Sequence, residues 1–421
     1  MSIDYAKEAQ FYKDILYNDI LPFWEKHAPD TEHGGFFTCF SNDGAKMLST
    51  DKYIWSQGRM LWCLSRILKR DDLSGERRER LMHYAHEAAD FLTRHARLED
   101  GSCTFLTDRE GNKKLSGEVY DSSIYVDCFV IIGLSEYASL TGLSAPLSLA
   151  LEIYRHARAR FEGGRYRTEP YPVPTGYRVH GLPMIFTNTA RTLADAMRSQ
   201  GHPDTQRISE NATAFARDVI DSFVDGDGVL HEMIRTEGEP FDTDTLLGRY
   251  INPGHTVEDC WFMATEWELS RDGERMEKTH RVFENALARG WDSEHGGIML
   301  FCDMSGESPR GSIPDPNEGM VKKVLGDCTS KLWWVHSEAL YTSLLFADAL
   351  GYEHYERIKD YTLRTFPNRE NDRGEWIQIR DRLGRPENRV VALPVKDPFH
   401  IMRNLLLLVE LCEKRADQSQ F

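Results

Sequence analysis

His255 and His400 are the two side chains best placed in this sequence to move protons. Each opens an otherwise apolar stretch, RYINPGHTVEDCW (249–261) and DPFHIMRN (397–404). An imidazole titrates at about 6.5 and can both take and return a proton near neutrality. Helical spacing gives each a neighbour on its own face: Glu258 lies at i+3 from His255, and Arg403 at i+3 from His400. Four more stretches have the same character. YIWSQGRMLW (53–62) holds Tyr53, Trp55 and Arg59; YDSSIYVDCF (120–129) holds Tyr125 and Asp127; YRVHGLPMIFTN (177–188) holds His180 and Met184; KLWWVHSEAL (331–340) holds Lys331, Trp334, His336 and Glu338. In the last, His336 and Glu338 are i, i+2 and diverge. Glu338 shares its face with Lys331 and Trp334, so Glu338 is expected to face the site. Asn252 lies in the same stretch as His255.

A lone histidine in a helix is more often structural than functional, but two in the same phase of a repeat argue for function. Arg59 alone would fit a bridge between helices. Asp127 either touches a substrate or orients a neighbour. Tryptophans 55, 333 and 334 fit a core, and aromatic platforms are also what a sugar pocket needs.

The elements that carry these stretches recur. DTEHGGFFTCFSNDG (30–44) and WDSEHGGIMLFCDMSG (291–306) share Glu-His-Gly-Gly, an apolar run and turn residues. Weaker copies begin near residues 98, 160, 224 and 372. Anchoring glycines fall at 35, 101, 164, 228, 297 and 374, with gaps of 63 to 77 residues. Between them lie pairs of helical patterns, the first more apolar than the second: 53–69 with 75–97, 122–139 with 146–161, 182–198 with 207–223, and 254–270 with 275–289. The period predicts an all-α, single-domain (α/α)6 barrel over residues 1–421, with short β-hairpins at one end. Inner helices would form its wall, and their starts would carry the chemistry. An open solenoid is the alternative, and the six-fold count favours closure. His33 and His295, inside the repeated phrase, are expected to hold hairpin geometry.

Composition excludes several classes. The 421 residues are 41% hydrophobic, 28% charged and carry a formal net charge of -16. No basic cluster points to nucleic acid. No run of 18 apolar residues occurs, so no membrane span is expected. The eight cysteines form no CxxC pair, so a zinc or redox motif is not expected. Reduced thiols and a polar N-terminus fit a cytoplasmic protein. No GxxxxGK[ST] loop marks a nucleotide site.

The chain resembles the N-acylglucosamine 2-epimerase family, which includes cellobiose 2-epimerases, mannose 2-epimerases and aldose–ketose isomerases. EHGGFFTCFSNDG, KYIWSQGRMLW, GRYINPGHTVEDCWF, GWDSEHGGIMLF, KLWWVHSEAL and PFHIMR carry the resemblance, in order, over nearly the full chain. It implies an (α/α)6 barrel acting on a free reducing sugar. It also implies His255 and His400 as acid and base, Glu258 and Glu338 as the carboxylates that orient them, and Arg59 as the holder of substrate oxygens. Tyr53, Trp55, Asp127, His180, Met184, Asn252, Lys331, Trp334 and Arg403 are the candidates for substrate binding. The chemistry suits this set. Epimerising C2 removes a proton beside a carbonyl, and two bases on opposite faces give inversion. One base that returns the proton to C1 gives a ketose. Neither route requires a metal or other cofactor. Members of the family are often homodimers.

Two departures bear on substrate. Several isomerases and cellobiose epimerases of the family have a histidine near Met184, where acylglucosamine-type members are apolar, as here. The NPGH block favours the same subgroup, whereas VKDPFHIMR departs from the commoner Lys-Gly-x-Phe-His-x-Pro-Arg form. His180 lies close enough to stand in for the missing histidine. The expected activity is an N-acylglucosamine 2-epimerase-like reaction. The alternatives are aldose–ketose isomerisation or mannose 2-epimerisation on the same barrel, then a glycan hydrolase or lyase, which would need an acidic pair across the cavity, and a binding protein without activity.

Overall fold

Each of the first five sequence periods becomes a hairpin turn, an inner helix and an outer helix in the computed structural model, which describes residues 3–369 and 374–418. Asp372 and Arg373, which begin the sixth copy of the phrase, lie outside the described residues. The inner helices are Ile54–Leu68, Ile124–Thr141, Gly181–Ser199, Pro253–Ser270, Trp333–Leu345 and Phe399–Gln418. Each packs on the next and the sixth packs on the first, so the ring closes and the solenoid alternative falls. Gly75–His95, Ser144–Glu162, Thr205–Asp218, Gly273–Gly290 and Glu353–Thr365 back the first five from outside.

The sixth outer position is filled from the other end of the chain, to which the period count assigned no helix. Tyr5–Asp14, continued by Ile15–Ile20 and Leu21–His27, packs against the sixth inner helix. Hydroxyl pairs Tyr12–Tyr355 (2.6 Å) and Tyr5–Tyr352 (2.7 Å) fasten it to the neighbouring outer element. First and last helices thus complete one unit.

The second inner helix, Ile124–Thr141, is long and apolar enough to cross a membrane by length and composition, although no unbroken apolar run foretold it. Most of it is buried inside the ring, between two inner neighbours and its outer partner. A helix covered on every side has no polar stripe to keep. Its contact with the first inner helix is backbone to backbone: a Cβ on Gly58 would meet the Phe129 carbonyl oxygen at 2.2 Å.

The six anchoring glycines all have positive φ, from 63° at Gly164 to 94° at Gly101, a conformation that only glycine adopts readily. Among the described residues, short antiparallel pairs link successive units. Lys52–Tyr53 pairs with Leu106–Thr107, Tyr177–Val179 with Met233–Arg235, Tyr250–Ile251 with Cys302–Asp303, and Lys331–Leu332 with Ile379–Arg380. The strand before one inner helix is thereby tied to the hairpin of the next unit.

The repeated phrase also supplies a buried ionic clip, twice. Lys52 Nζ donates to Asp30 Oδ2 (2.9 Å) and to the Gly34 and Arg109 carbonyls (both 2.7 Å), while Arg109 forks onto the same carboxylate. Lys331 repeats this with Asp292 Oδ2 (3.1 Å), the Gly296 carbonyl and the Arg382 carbonyl (2.7 Å), and Arg382 forks onto Asp292. The phrase histidines contribute their backbone amides: His33 N donates to Asp30 and His295 N to Asp292. All eight cysteines are free thiols.

The two copies correspond in one further bond. Gln57 Oε1 accepts from Phe36 N (2.7 Å), and at the matching place His336 Nε2 accepts from Ile298 N (2.9 Å). His336 Nδ1 donates to the Leu332 carbonyl (2.7 Å), so the wholly buried ring is neutral and structural. Burial pushes its pKa down, to about 3. Between that value and the ordinary 6.5 of the unfolded chain, only the unfolded state takes up a proton. Stability is therefore lost as pH falls from about 6.5 towards 3. His336→Gln can keep the Ile298 bond, as Gln57 does in the first copy. The variant should lose less stability between pH 7 and pH 4 than the parent in urea titrations; an unchanged difference would refute the assignment.

Candidate active site

The starts of the inner helices surround a cavity of about 920 Å³ at the hairpin end of the ring. His255 enters it from the first turn of Pro253–Ser270. Asn252 caps that turn by accepting from His255 N (3.2 Å), and Pro253 supplies a first helical position that needs no N–H. Gly254 leaves room for Trp334, whose ring a Cβ would strike at 2.6 Å. The His255 imidazole Nδ1 is bound to Glu232 Oε1 at 2.8 Å. Glu232 is buried, yet its carboxyl is held down, to about 2: burial alone would raise it, and the His255 and His180 rings more than offset that.

His400 lines the same cavity from the start of Phe399–Gln418, whose first turn Asp397 caps through Phe399 N (2.7 Å). Its Nδ1 is bound to Glu338 Oε1 at 2.7 Å. Glu338 is wholly buried, and its second oxygen accepts from Trp261 Nε1 (2.9 Å). Arg403 Nη2 donates to both Glu338 and Glu258, and its guanidinium stacks on Phe399 at 4.5 Å. Burial would raise the Glu338 carboxyl, but Arg403 and His400 hold it below the usual range. Trp334 lies beside both imidazoles, 5.5 Å from His255 and 5.4 Å from His400 between ring centroids. With each Nδ1 tied to a carboxylate, Nε2 is the nitrogen each ring offers to the cavity, and among the described residues neither Nε2 has a hydrogen-bond partner.

Arg59 reaches the cavity from the first inner helix. Its guanidinium lies 3.9 Å from the Phe129 centroid and donates through Nη1 to Asp397. Its buried Nε has no acceptor among the described residues, so it remains a donor in reserve. Trp55, Met184, Asn252, Glu258 and Trp334 complete the expected lining.

Five expected substrate contacts are instead turned away from the cavity. Lys331 is spent on the hairpin clip described above. Asp127 accepts from Cys103 N (3.2 Å) and pairs with Arg160, tying the second inner helix to a hairpin and an outer helix. Tyr53 packs edge-on against Phe105. Arg403 is buried between the two glutamates. His180 is fully buried between Asp259 (2.8 Å) and Glu232 (3.4 Å), so it does not stand in for a histidine near Met184. A sixth correction concerns partners. Glu258 does not hold His255; it pairs with Arg403 and lies 3.8 Å from His400 Nδ1.

The carboxylate that does hold His255, Glu232, escaped the sequence reading, as did Asp397 beside Arg59. Glu232 sits in the eroded hairpin copy VDGDGVLHEMIRTEG, where no helical spacing links it to His255. Only its place after the anchor Gly228 could have drawn notice. Among the described residues, two donor groups are tight enough for a metal ion, His180–Glu232–His255 and Glu258–Glu338–His400. In the second, Arg403 Nη2 is within hydrogen-bond reach of all three residues and takes the place of a cation.

Comparison with known proteins agrees with this fold. The model of the N-acylglucosamine 2-epimerase (GlcNAc 2-epimerase) family matches residues 35–403. The N-acylglucosamine 2-epimerase of Mus musculus is 29% identical, covering 93% of this chain and 89% of its own, and that of Homo sapiens is 27% identical over 93% and 87%. Among solved structures, cellobiose 2-epimerase from Spirochaeta thermophila superposes with a TM-score of 0.75 at 19% identity, covering 98% of each chain. A D-mannose isomerase superposes with a TM-score of 0.74 at 17% identity, covering 96% of this chain and 97% of its own. These share the (α/α)6 barrel. The protein belongs to the N-acylglucosamine 2-epimerase family.

Proposed function

We propose that the protein is a sugar 2-epimerase of the N-acylglucosamine type, interconverting C2 epimers of a free reducing sugar. The observation that carries this reading is the pair of cavity imidazoles, each with Nδ1 fixed by a buried carboxylate: His255 by Glu232, His400 by Glu338. One ring takes the C2 proton of the open-chain aldehyde through Nε2, and the other delivers a proton to the opposite face. The carboxylate behind each ring fixes its tautomer and stabilises the imidazolium that forms. Arg59 donates to the enediolate oxygen, where charge develops. Trp55 and Trp334 offer faces to the sugar ring. The named relatives support the acylated amino sugar as substrate, and the apolar Met184 is consistent with it. The hydrolase reading loses support, because Glu258 and Glu338 share one arginine instead of facing each other across the cavity.

The test is product identity. Purified protein is incubated with N-acetylglucosamine, N-acetylmannosamine, glucose, mannose and cellobiose, and products are read by NMR. The C2 epimer of an N-acetylhexosamine is the expected product. A ketose from glucose or mannose would establish the isomerase alternative, and no turnover of any sugar would refute the epimerase reading.

A further inference from the structure

Behind His255 and its Glu232 carboxylate lie two further buried ionisable groups that the proposed reaction does not use: His180 and Asp259. His180 and Asp259 are fully buried, and Glu232 nearly so. His180 Nε2 is 2.8 Å from Asp259 Oδ2, its Nδ1 is 3.4 Å from Glu232 Oε2, and the other Glu232 oxygen holds His255 Nδ1 at 2.8 Å. Both His180 nitrogens face carboxylate oxygens, and an imidazolium, with hydrogen on both, donates to each of them. Two carboxylates enclosed without that charge would repel each other in a closed interior.

We propose that His180 is a positioning residue for His255: a buried cation, fixed by Asp259, that holds the Glu232 carboxylate ionised and balances its pull on the catalytic imidazole. This rests on His255 being a proton-carrying group of the epimerase site. A bare Glu232 carboxylate would over-stabilise the His255 imidazolium and leave the ring a poor acceptor near neutral pH. A cation on the far oxygen moderates that pull, and Glu232 stays charged through turnover. Burial would lower the His180 pKa, yet Asp259 and Glu232 raise it, to about 9. The Asp259 carboxyl is pushed up by burial, against the pull of His180. The other titratable groups around this cluster are Glu258 on the same inner helix as Asp259, Tyr125 on the second inner helix, and Tyr250 before the fourth. The two tyrosines are neutral there, since burial raises both. Asp259 Oδ1 has no partner among the described residues, which leaves His180 as the contact that justifies a buried carboxylate at this position.

The test is the pH profile of kcat/KM on whichever sugar the parent turns over, for the parent, His180→Asn and Asp259→Asn. The acidic limb reports deprotonation of the free enzyme's base. Loss of the cation should move that limb upward by about one pH unit in His180→Asn, a tenfold loss of rate at a pH on the limb. Asp259→Asn, nearly isosteric and a second variant should His180→Asn fail to fold, should move it the same way by less. The His255 imidazole resonance should titrate upward in step. Limbs unmoved in both variants, whatever the rate, would reduce His180 and Asp259 to packing and overturn the proposal. His255→Ala separates the two readings. If it is inactive while the limbs stay fixed, only the role of His180 fails; if it is fully active, the base assignment fails as well.

Discussion

Replacing His400 with alanine should lower kcat by about 10²–10⁴-fold, the usual share of a general acid–base group, with KM little changed. His255→Ala should do the same. His400 is 9% exposed and contacts the cavity while its Nδ1 is fixed at 2.7 Å by Glu338. Alanine removes the proton carrier and leaves Glu338 still paired with Arg403 and Trp261, so the fold should survive. A control at the same node makes the point sharper. Glu338→Gln keeps the volume but loses the charge that stabilises the imidazolium; it should be slow while still binding sugar. Steady-state kinetics on the epimer pair would check both. A rate within threefold of the parent in His400→Ala would remove His400 from the chemistry.

Arg403→Met should be the most destabilising single change near the site, by about 3–5 kcal/mol, the range for stripping one partner from a buried ion pair. Arg403 is 3% exposed and is shared by two carboxylates, Glu258 and Glu338. Methionine fills much of the volume and supplies no charge, so the two glutamates are left facing each other, and one must take up a proton. Activity should fall too, because a protonated Glu338 no longer favours the imidazolium of His400. Removing one of the stranded charges tests the cause: Glu258→Gln in the Arg403→Met background should regain part of the lost stability. Urea unfolding of the single and double variants would show this. Equal midpoints for parent and Arg403→Met would contradict the electrostatic account.

Much of the fold was legible because the repeat is written in glycine. Gly35, Gly101, Gly164, Gly228, Gly297 and Gly374 take positive φ, and their spacing marks the six units without any knowledge of packing. The sixth outer helix was not legible, since its partner lies nearly 400 residues away in sequence and no period connects chain ends. The site divides the same way. His255, His400, Glu338, Arg59 and Trp334 all lie in inner-helix starts, where apolar helices are interrupted. Helical spacing separated Glu338, which bonds His400, from His336, which bonds Ile298 N, but Glu338 is wholly buried behind His400 and does not itself line the cavity. What spacing could not reveal was contact between elements. Glu232 and Asp397 come from loop segments, and only the closed ring brings them to His255 and Arg59. Lys331 misled for a related reason: its position before an inner helix matches the cavity residues, but Lys52 holds the equivalent place in the first unit, and both are buried in the same ionic clip.

The two-base arrangement is tested most directly by hydrogen exchange at C2. Each epimer is incubated separately in deuterium oxide with His255→Ala and with His400→Ala, and deuterium at C2 is followed by NMR. If the two rings serve opposite faces, neither variant interconverts the epimers, and each washes deuterium into one epimer only, a different one for each variant. Exchange of both epimers by a single variant, or full epimerisation after loss of either histidine, would contradict it.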